Sequence, residues 1–428
     1  MLKLVGVLLS LVVLIILVYK KVDLIPASMI SIVILVATNQ LSYMDIMMYN
    51  YAVSLGNFIA NYFMIFVTNA LFGKIMEETL LAAELSKLIG KYFGDKNAVY
   101  GAMLATALLA YGGISVFVIV FTVYPIFLVT FQKADLPRRY IPAAIMGSSS
   151  TFALAMVPGN AQINNIIPTE YIDTTATSGF LIGIVTTIVS VILLVAYFEY
   201  EFSKARKNGE HFEMDESISR RINNFNKESG INPWFSMLPL ILVLILINYF
   251  GYSLSISVLA GAALALGIGW KNMPDKLFSI NESFQMVSPA MVTTAVSVGF
   301  GGAVLASPGA QIILEKIISL PFNSTISLSI ASAFAGMLTG SGGGGVDVAM
   351  DLFSQEYLTL GVNPEVMHRV VAIATAGFSC LPHNGMILTI IETSGYSVKE
   401  SYKYIFVTNV LISIIALILA NIIGLAFY

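Results

Sequence analysis

Apolar residues in this chain fall in long runs separated by short polar stretches, and the runs are of two kinds. Eight read as ordinary membrane spans, near 3–19, 22–40, 53–73, 178–198, 233–250, 252–270, 284–306 and 402–427. A helix rising 1.5 Å per residue needs roughly 20 residues to cross about 30 Å of hydrocarbon, and these runs approach that length. Four other stretches do not fit a single span. Residues 97–131 and 322–358 are too long, and they are interrupted by Tyr111-Gly112-Gly113 and by Thr339-Gly340-Ser341-Gly342-Gly343-Gly344-Gly345. Both predict re-entrant helical hairpins. Residues 140–170 and 365–397 are broken by Val157-Pro158-Gly159-Asn160 and Leu381-Pro382-His383-Asn384-Gly385. Proline and glycine there free backbone groups that lipid cannot satisfy, so discontinuous helices lined by protein or water are expected.

The two breaks share a pattern. At an offset of 224, Pro158, Asn160, Ile163, Ile166-Ile167 and Thr169 align with Pro382, Asn384, Ile387, Ile390-Ile391 and Thr393. At an offset of 232, Gly112-Gly113-Ile114-Ser115-Val116 aligns with Gly344-Gly345-Val346-Asp347-Val348, and Phe72-Gly73 is echoed by Phe300-Gly301, each ahead of an amphipathic segment. Like elements in the same order imply an internal duplication. With the N-terminus outside, every basic residue except Lys3, Lys316 and Arg369 falls on a cytoplasmic segment, the asymmetry of the positive-inside rule. The same assignment opens one hairpin from each side. The expectation is an all-α polytopic membrane protein of two inverted-topology repeats: 1–200 for the N-terminal span and first repeat, 201–232 for a solvated cytoplasmic linker that includes His211, and 233–428 for the second repeat.

Composition sharpens this. With 57% hydrophobic and 11% charged residues, the chain lies far from the roughly 25% charge of soluble domains, and a soluble fold has nowhere to put that surface. The net charge of -3, with no basic patch interleaved with aromatics, gives no electrostatic case for nucleic acid. The lone cysteine, Cys380, forms no intrachain disulfide, and no metal-ligand spacing or cofactor motif is present. No small-x-small cleavage site precedes Lys20-Lys21, so the first run reads as an uncleaved span. The expected location is the cytoplasmic membrane, multi-pass, with both termini outside.

Inverted repeats with broken helices at the midplane are the architecture of secondary transporters. Helix N-termini aimed at a central cavity offer unpaired N–H groups and a positive dipole end to an anion, so a small carboxylate is the favoured substrate class. Ser148, Ser149 and Ser150 before the first break, Asn160, Gln162, Asn164 and Asn165 within and after it, and Asn384 at the second supply neutral hydrogen-bonding groups. They either hold a solute or satisfy freed carbonyls, and Asn160 and Asn384 rank first because both copies keep them. Gly342, Gly343, Gly344 and Gly345 either present backbone N–H groups to an anion or allow tight hairpin packing. Val346-Asp347 follows them where a phosphate-binding loop has Lys-Ser/Thr, which leaves nucleotide binding unsupported. Asp347 and His383 are the ionisable residues expected deepest in the second repeat. Asp347 either carries a proton or caps the second hairpin helix, and His383 either couples protons or bonds local backbone as a neutral ring.

At these residues the chain resembles a known family. Thr339–Gln355, Gly361–Ala374 (GVNPEVMHRVVAIA), Leu381-Pro382-His383-Asn384-Gly385, Ser401–Thr408 (SYKYIFVT) and Met156–Tyr171 (MVPGNAQINNIIPTEY) are similar to the gluconate permease family of the ion transporter superfamily, most like its 3-hydroxybutyrate or short-chain carboxylate branch. The resemblance implies proton symport of small organic anions, a scaffold with a mobile transport domain in elevator-like motion, and a homodimer. Pro-Gly-Asn and Pro-His-Asn stand where sodium-driven relatives carry Ser-Asn-Thr, which favours protons.

The reading is a proton-coupled symporter of a small hydroxy or keto monocarboxylate such as 3-hydroxybutyrate. Ser149, Asn160, Ser341 and Asn384 hold the solute, Gly342–Gly345 offer N–H groups, and His383 or Asp347 carries the proton. No cofactor or metal is expected. The rivals are a gluconate or other sugar-acid permease, a Na⁺-coupled carboxylate carrier, a channel, and an intramembrane enzyme. No serine stands in a G-x-S-x-G nucleophile motif, so the chain is not expected to be an enzyme.

Overall fold

The computed structural model describes residues 2–94, 97–113, 116–160, 162–216, 218–219, 222, 229–273, 275–318 and 321–428. Ile114 and Ser115 of the first glycine turn, Ala161 at the first break, and most of 217–228 in the linker lie outside the described residues. Within them the chain is helical, with no strand. Leu2–Tyr19, Tyr43–Glu78, Phe180–Lys207 and Val398–Phe427 are long and apolar enough to cross a membrane. Met291–Leu305 and Pro308–Ile317 form a pair bent by 75°, with proline at the start of the second member. Leu24–Asn39, expected as a full span, has 16 residues, about 24 Å, because Asp23 caps its start and Gln40 ends it in a left-handed conformation.

The interrupted stretches become paired or fragmented helices. Residues 97–131 fold as Ala98–Tyr111 and Val116–Lys133, and 322–358 as Ser324–Thr339 and Gly342–Thr359. Around the first break stand Ile141–Ser149, Phe152–Ala155, Ile163–Ile166 and Pro168–Tyr171. Around the second stand Pro364–Phe378 and Gly385–Thr393. Two long helices contain π-helical segments, Ile46–Tyr51 and Phe406–Leu411. Each follows a Ser-Tyr pair and holds an asparagine, Asn50 or Asn409. The wide turn leaves a carbonyl without its usual donor. The hydroxyl of Thr151 donates to the carbonyl of Thr408, inside the second segment, at 2.9 Å.

Contacts gather the chain into two compact units that are discontinuous in sequence: 1–61, 150–191 and 290–428 in one, and 62–149 and 192–289 in the other. They cut across the repeat division expected from the duplication, because packing joins segments of both copies. The first unit has one large core, in which Leu14, Ile32, Phe300, Leu338, Val346, Phe353, Met367 and Val371 are buried together.

In the second unit, edge-to-face contacts of Phe202 with Phe131 and Tyr140 organise an aromatic core. The polar linker does not hang free. Asp215 pairs with Arg138 at 2.9 Å, Glu210 pairs with Arg139, and the His211 ring meets Asp135 at 2.7 Å. Asp135 lies in the connection after Lys133. The His211 ring and the Phe212 N–H hold its carboxyl below the usual range.

Candidate functional site

The glycine-rich turn is built by two conformational requirements. Ser324–Thr339 ends at Gly340, whose φ of 55° reverses the chain, and Ser341 starts the next helix by accepting the Gly344 N–H on its hydroxyl at 3.3 Å. The Ser341 carbonyl takes the Gly345 N–H at 2.8 Å and the Thr339 hydroxyl at 3.1 Å. Ser341, not Asp347, is therefore the cap. The glycines that follow have different surroundings. A methyl on Gly345 would stand 2.7 Å from Cα of Gly336, so this glycine lets the two hairpin helices touch. Gly342 and Gly343 are half-buried, and as the first helical residues they have no carbonyl four positions back to receive their N–H groups.

Each break is bridged by its asparagine. Asn160 accepts the Gln162 N–H at 3.0 Å and donates to the Val157 carbonyl at 2.6 Å. Asn384 accepts the N–H groups of Met386 and Ile387 at 2.8 and 3.2 Å and donates to the Ser379 carbonyl at 2.9 Å. Both side chains thus tie the chain end entering the break to the helix leaving it. Ser149 lies in the other compact unit, buried, its hydroxyl donating to the Ile145 carbonyl at 2.7 Å.

His383 and Asp347, both expected deep, differ sharply. The His383 ring is fully buried, with Nε2 3.1 Å from the Met337 carbonyl. A carbonyl only accepts, so Nε2 carries hydrogen, and Nδ1 is left without a partner. Its own carbonyl accepts from the Ser297 hydroxyl at 2.6 Å, the Phe300 ring meets it edge-on, and Gly340 lies against it. Asp347 is exposed. Its neighbours Gly345 and Val346 and, one turn on, Ala349 and Met350 occupy the buried face of the helix, which leaves Asp347 on the other. It accepts a hydrogen bond from the Tyr171 hydroxyl at 2.8 Å.

A polar cluster beside the first break involves residues that the sequence reading gave no role. Arg369 is fully buried, and its guanidinium donates to the carbonyls of Ser178 and Ala176, both at 2.6 Å, and to Asn165 Oδ1 at 2.7 Å. His368, also buried, lies between Asn165 Oδ1 at 2.9 Å and the Thr174 hydroxyl at 3.0 Å. Asn165 Nδ2 donates to the carbonyls of Asn160 and Ala176 at 2.8 and 2.9 Å. A signal existed in the sequence: His-Arg inside the otherwise apolar VMHRVVAIA is what a costly buried polar pair looks like. The cluster fixes the Ile163–Ile166 helix against the glycine turn, where Ile163 packs on Gly343 and Asn164 on Gly342.

Over 397 aligned residues the chain is 28% identical to the uncharacterized transporter YxjC of Bacillus subtilis (strain 168), covering 82% of this chain and 84% of the relative. Among solved structures, the YdaH transporter of Alcanivorax borkumensis, described as having an unusual topology, aligns over 87% of this chain and 88% of its own at 16% identity, with a TM-score of 0.48. Residues 2–251 match the family described as GntP family permease. That match spans more than half of a chain rich in apolar helices, and the protein belongs to the GntP permease family as a multi-pass membrane transporter.

Proposed function

We propose that this permease is a secondary transporter that takes up a small hydroxy or keto monocarboxylate, such as 3-hydroxybutyrate, together with protons. One observation carries the coupling: a fully buried histidine, His383, on the second break and against the glycine turn, with Nδ1 uncommitted. A proton on Nδ1 makes a buried cation, which is costly alone and is stabilised by a carboxylate bound nearby. Proton and anion then favour each other's binding by the same factor, which is the thermodynamic condition for symport. Asp347, exposed and bonded to Tyr171, is the weaker proton carrier of the two.

The Gly342 and Gly343 N–H groups supply the anion subsite, and Ser341, Asn160 and Asn384 shape it by holding the turn and the breaks in place. Gly344, whose N–H is taken by Ser341, and Gly345, which packs on Gly336, complete the turn. Ser149 contributes from the second unit in this reading. The recurrence of the pattern at the breaks supports two inverted repeats, and the lysine and arginine distribution supports both termini outside the cytoplasmic membrane. An elevator-like movement and a homodimer complete the proposal on the strength of the resemblance.

The test is uptake of labelled 3-hydroxybutyrate into proteoliposomes under an inward proton gradient. Stimulation by the gradient is expected. Stimulation by a sodium gradient alone overturns the coupling, and uptake of gluconate without 3-hydroxybutyrate overturns the substrate.

A further inference from the structure

Asn164 differs from the other buried asparagines around the two breaks. It is 1% exposed, and neither Nδ2 nor Oδ1 has a hydrogen-bond partner. Asn160, Asn165 and Asn384 all have both ends of their amides engaged. A buried amide with both ends unpaired is uncommon and calls for a polar guest.

The amide points at the start of the Gly342–Thr359 helix. A methyl on Gly342 would stand 3.0 Å from Nδ2 and 3.2 Å from Oδ1. This 18-residue helix brings the N–H groups of Gly342 and Gly343 and the positive end of its dipole to the same place. The Ser341 hydroxyl is already occupied by Gly344. The helix end therefore offers only donors, and Asn164 offers one donor side and one acceptor side. Exchanging amide O and N leaves that inventory unchanged. The Asn165–Arg369–His368 cluster and the packing of Ile163 on Gly343 hold the segment in place, so the amide is presented by a fixed support.

We infer that Asn164 is the residue that distinguishes a hydroxy acid from a keto or unsubstituted acid; this rests on reading the permease as a small-monocarboxylate carrier. The solute carboxylate takes the Gly342 and Gly343 N–H groups and Asn164 Nδ2, and the solute hydroxyl donates to Asn164 Oδ1. A keto acid has no hydrogen to give, and an unsubstituted acid has no polar group there. Either leaves Oδ1 buried and unpaired, the situation in which a hydrogen-bonding site discriminates most strongly.

The experiment uses the full-length protein in proteoliposomes and compares 3-hydroxybutyrate, acetoacetate and butyrate as competitors of labelled 3-hydroxybutyrate. Wild type is expected to favour the hydroxy acid by about tenfold or more over both others. Asn164→Leu, apolar and of similar size, is expected to bring the three to within about threefold by weakening the hydroxy acid. Asn164→Asp keeps the shape and sets a carboxylate against the solute's own; it is expected to lower uptake of labelled 3-hydroxybutyrate by about tenfold or more at neutral pH. Equal competition by all three acids in wild type, or an unchanged preference in Asn164→Leu, overturns the assignment. If the leucine variant is not monodisperse, Asn164→Asp decides, and uptake equal to wild type overturns it. Should wild type take up no 3-hydroxybutyrate, the carrier reading falls and the assignment with it; uptake with no discrimination sinks the assignment alone.

Discussion

The two breaks are wired alike and furnished differently. In both, an asparagine two residues after the proline side reaches back to a carbonyl and forward to an N–H, so the gap is bridged by one amide. What precedes that asparagine differs. At the first break Gly159 sits at a φ of 78° and gives its N–H to the Ala176 carbonyl at 2.8 Å, which spends the position on backbone geometry. At the second, His383 places an imidazole under the glycine turn. The first break continues into two four-residue helices, the second into one of nine. The residues that keep a broken helix intact recur, and those able to titrate do not.

The strongest way to break this contrast is His383→Gln, which keeps polarity and removes the titratable ring. It is expected to eliminate proton-driven accumulation of 3-hydroxybutyrate while solute exchange across the membrane continues; accumulation that persists removes His383 as the proton carrier. Next comes the turn beside it. Gly345→Ala sets a methyl 2.7 Å from Cα of Gly336 and is expected to cost about 1–3 kcal/mol, read as a lowered unfolding midpoint in detergent. Gly342→Ala meets only a side chain, so its midpoint should fall less and its uptake more. An equal fall in both midpoints would mean that the glycines are not divided between packing and binding.

A smaller effect sharpens the shared part of the comparison. Asn384→Ala strips two N–H groups of their acceptor and is expected to cost up to about 2 kcal/mol, against about 1 kcal/mol for Asn160→Ala, again by unfolding midpoint. The reverse order would show that the first break bears more of the fold.

The smallest expected effect lies outside the membrane. The Asp135 carboxyl is held low by the His211 ring and the Phe212 N–H, so its folded pKa lies below the unfolded one. Its contribution is therefore present above the unfolded value, about 3.9, and is lost as pH falls through the lowered folded value. Asp135→Asn should lower the unfolding midpoint slightly at pH 7, with the gap to wild type closing toward pH 3. A gap that does not depend on pH would remove the linkage.

Helix positions were legible because apolar runs and their Pro-Gly interruptions are local signals; the turns and breaks fall where Gly340, Pro158 and Pro382 stand. Asn160 and Asn384 were legible as a pair, but not as caps, since a solute ligand and a helix cap both ask for an asparagine beside a freed N–H. Asn164 and Asn165 show the limit most clearly. They are adjacent and identical in type, one with every polar atom engaged and the other with none, and only the direction each faces on a four-residue helix separates them. Asp347 was misplaced in depth for a similar reason. Two residues past Gly345 is enough rotation to carry a side chain from the buried face to the open one. The two compact units were not legible at all, because duplication records ancestry and contacts record packing.

The π-helical segment at Phe406–Leu411 carries a consequence for chain length. A π turn is an α-helix that has absorbed one extra residue, and everything beyond it is phased to that insertion. Deleting a single residue from 406–411 would let the ladder close as an ordinary helix and would rotate the remainder by about 100°, with a shift of about 1.5 Å along the axis. Ala416, Ala420, Ile423 and Gly424 now face inward, with Gly424 against Val366, and would swing outward together. The carbonyl that Thr151 answers would regain a partner inside its own helix, leaving that hydroxyl unanswered at the edge of the first break. One codon at this point thus sets the angular register of the last helix, and a deletion there would do more harm than many substitutions along its length.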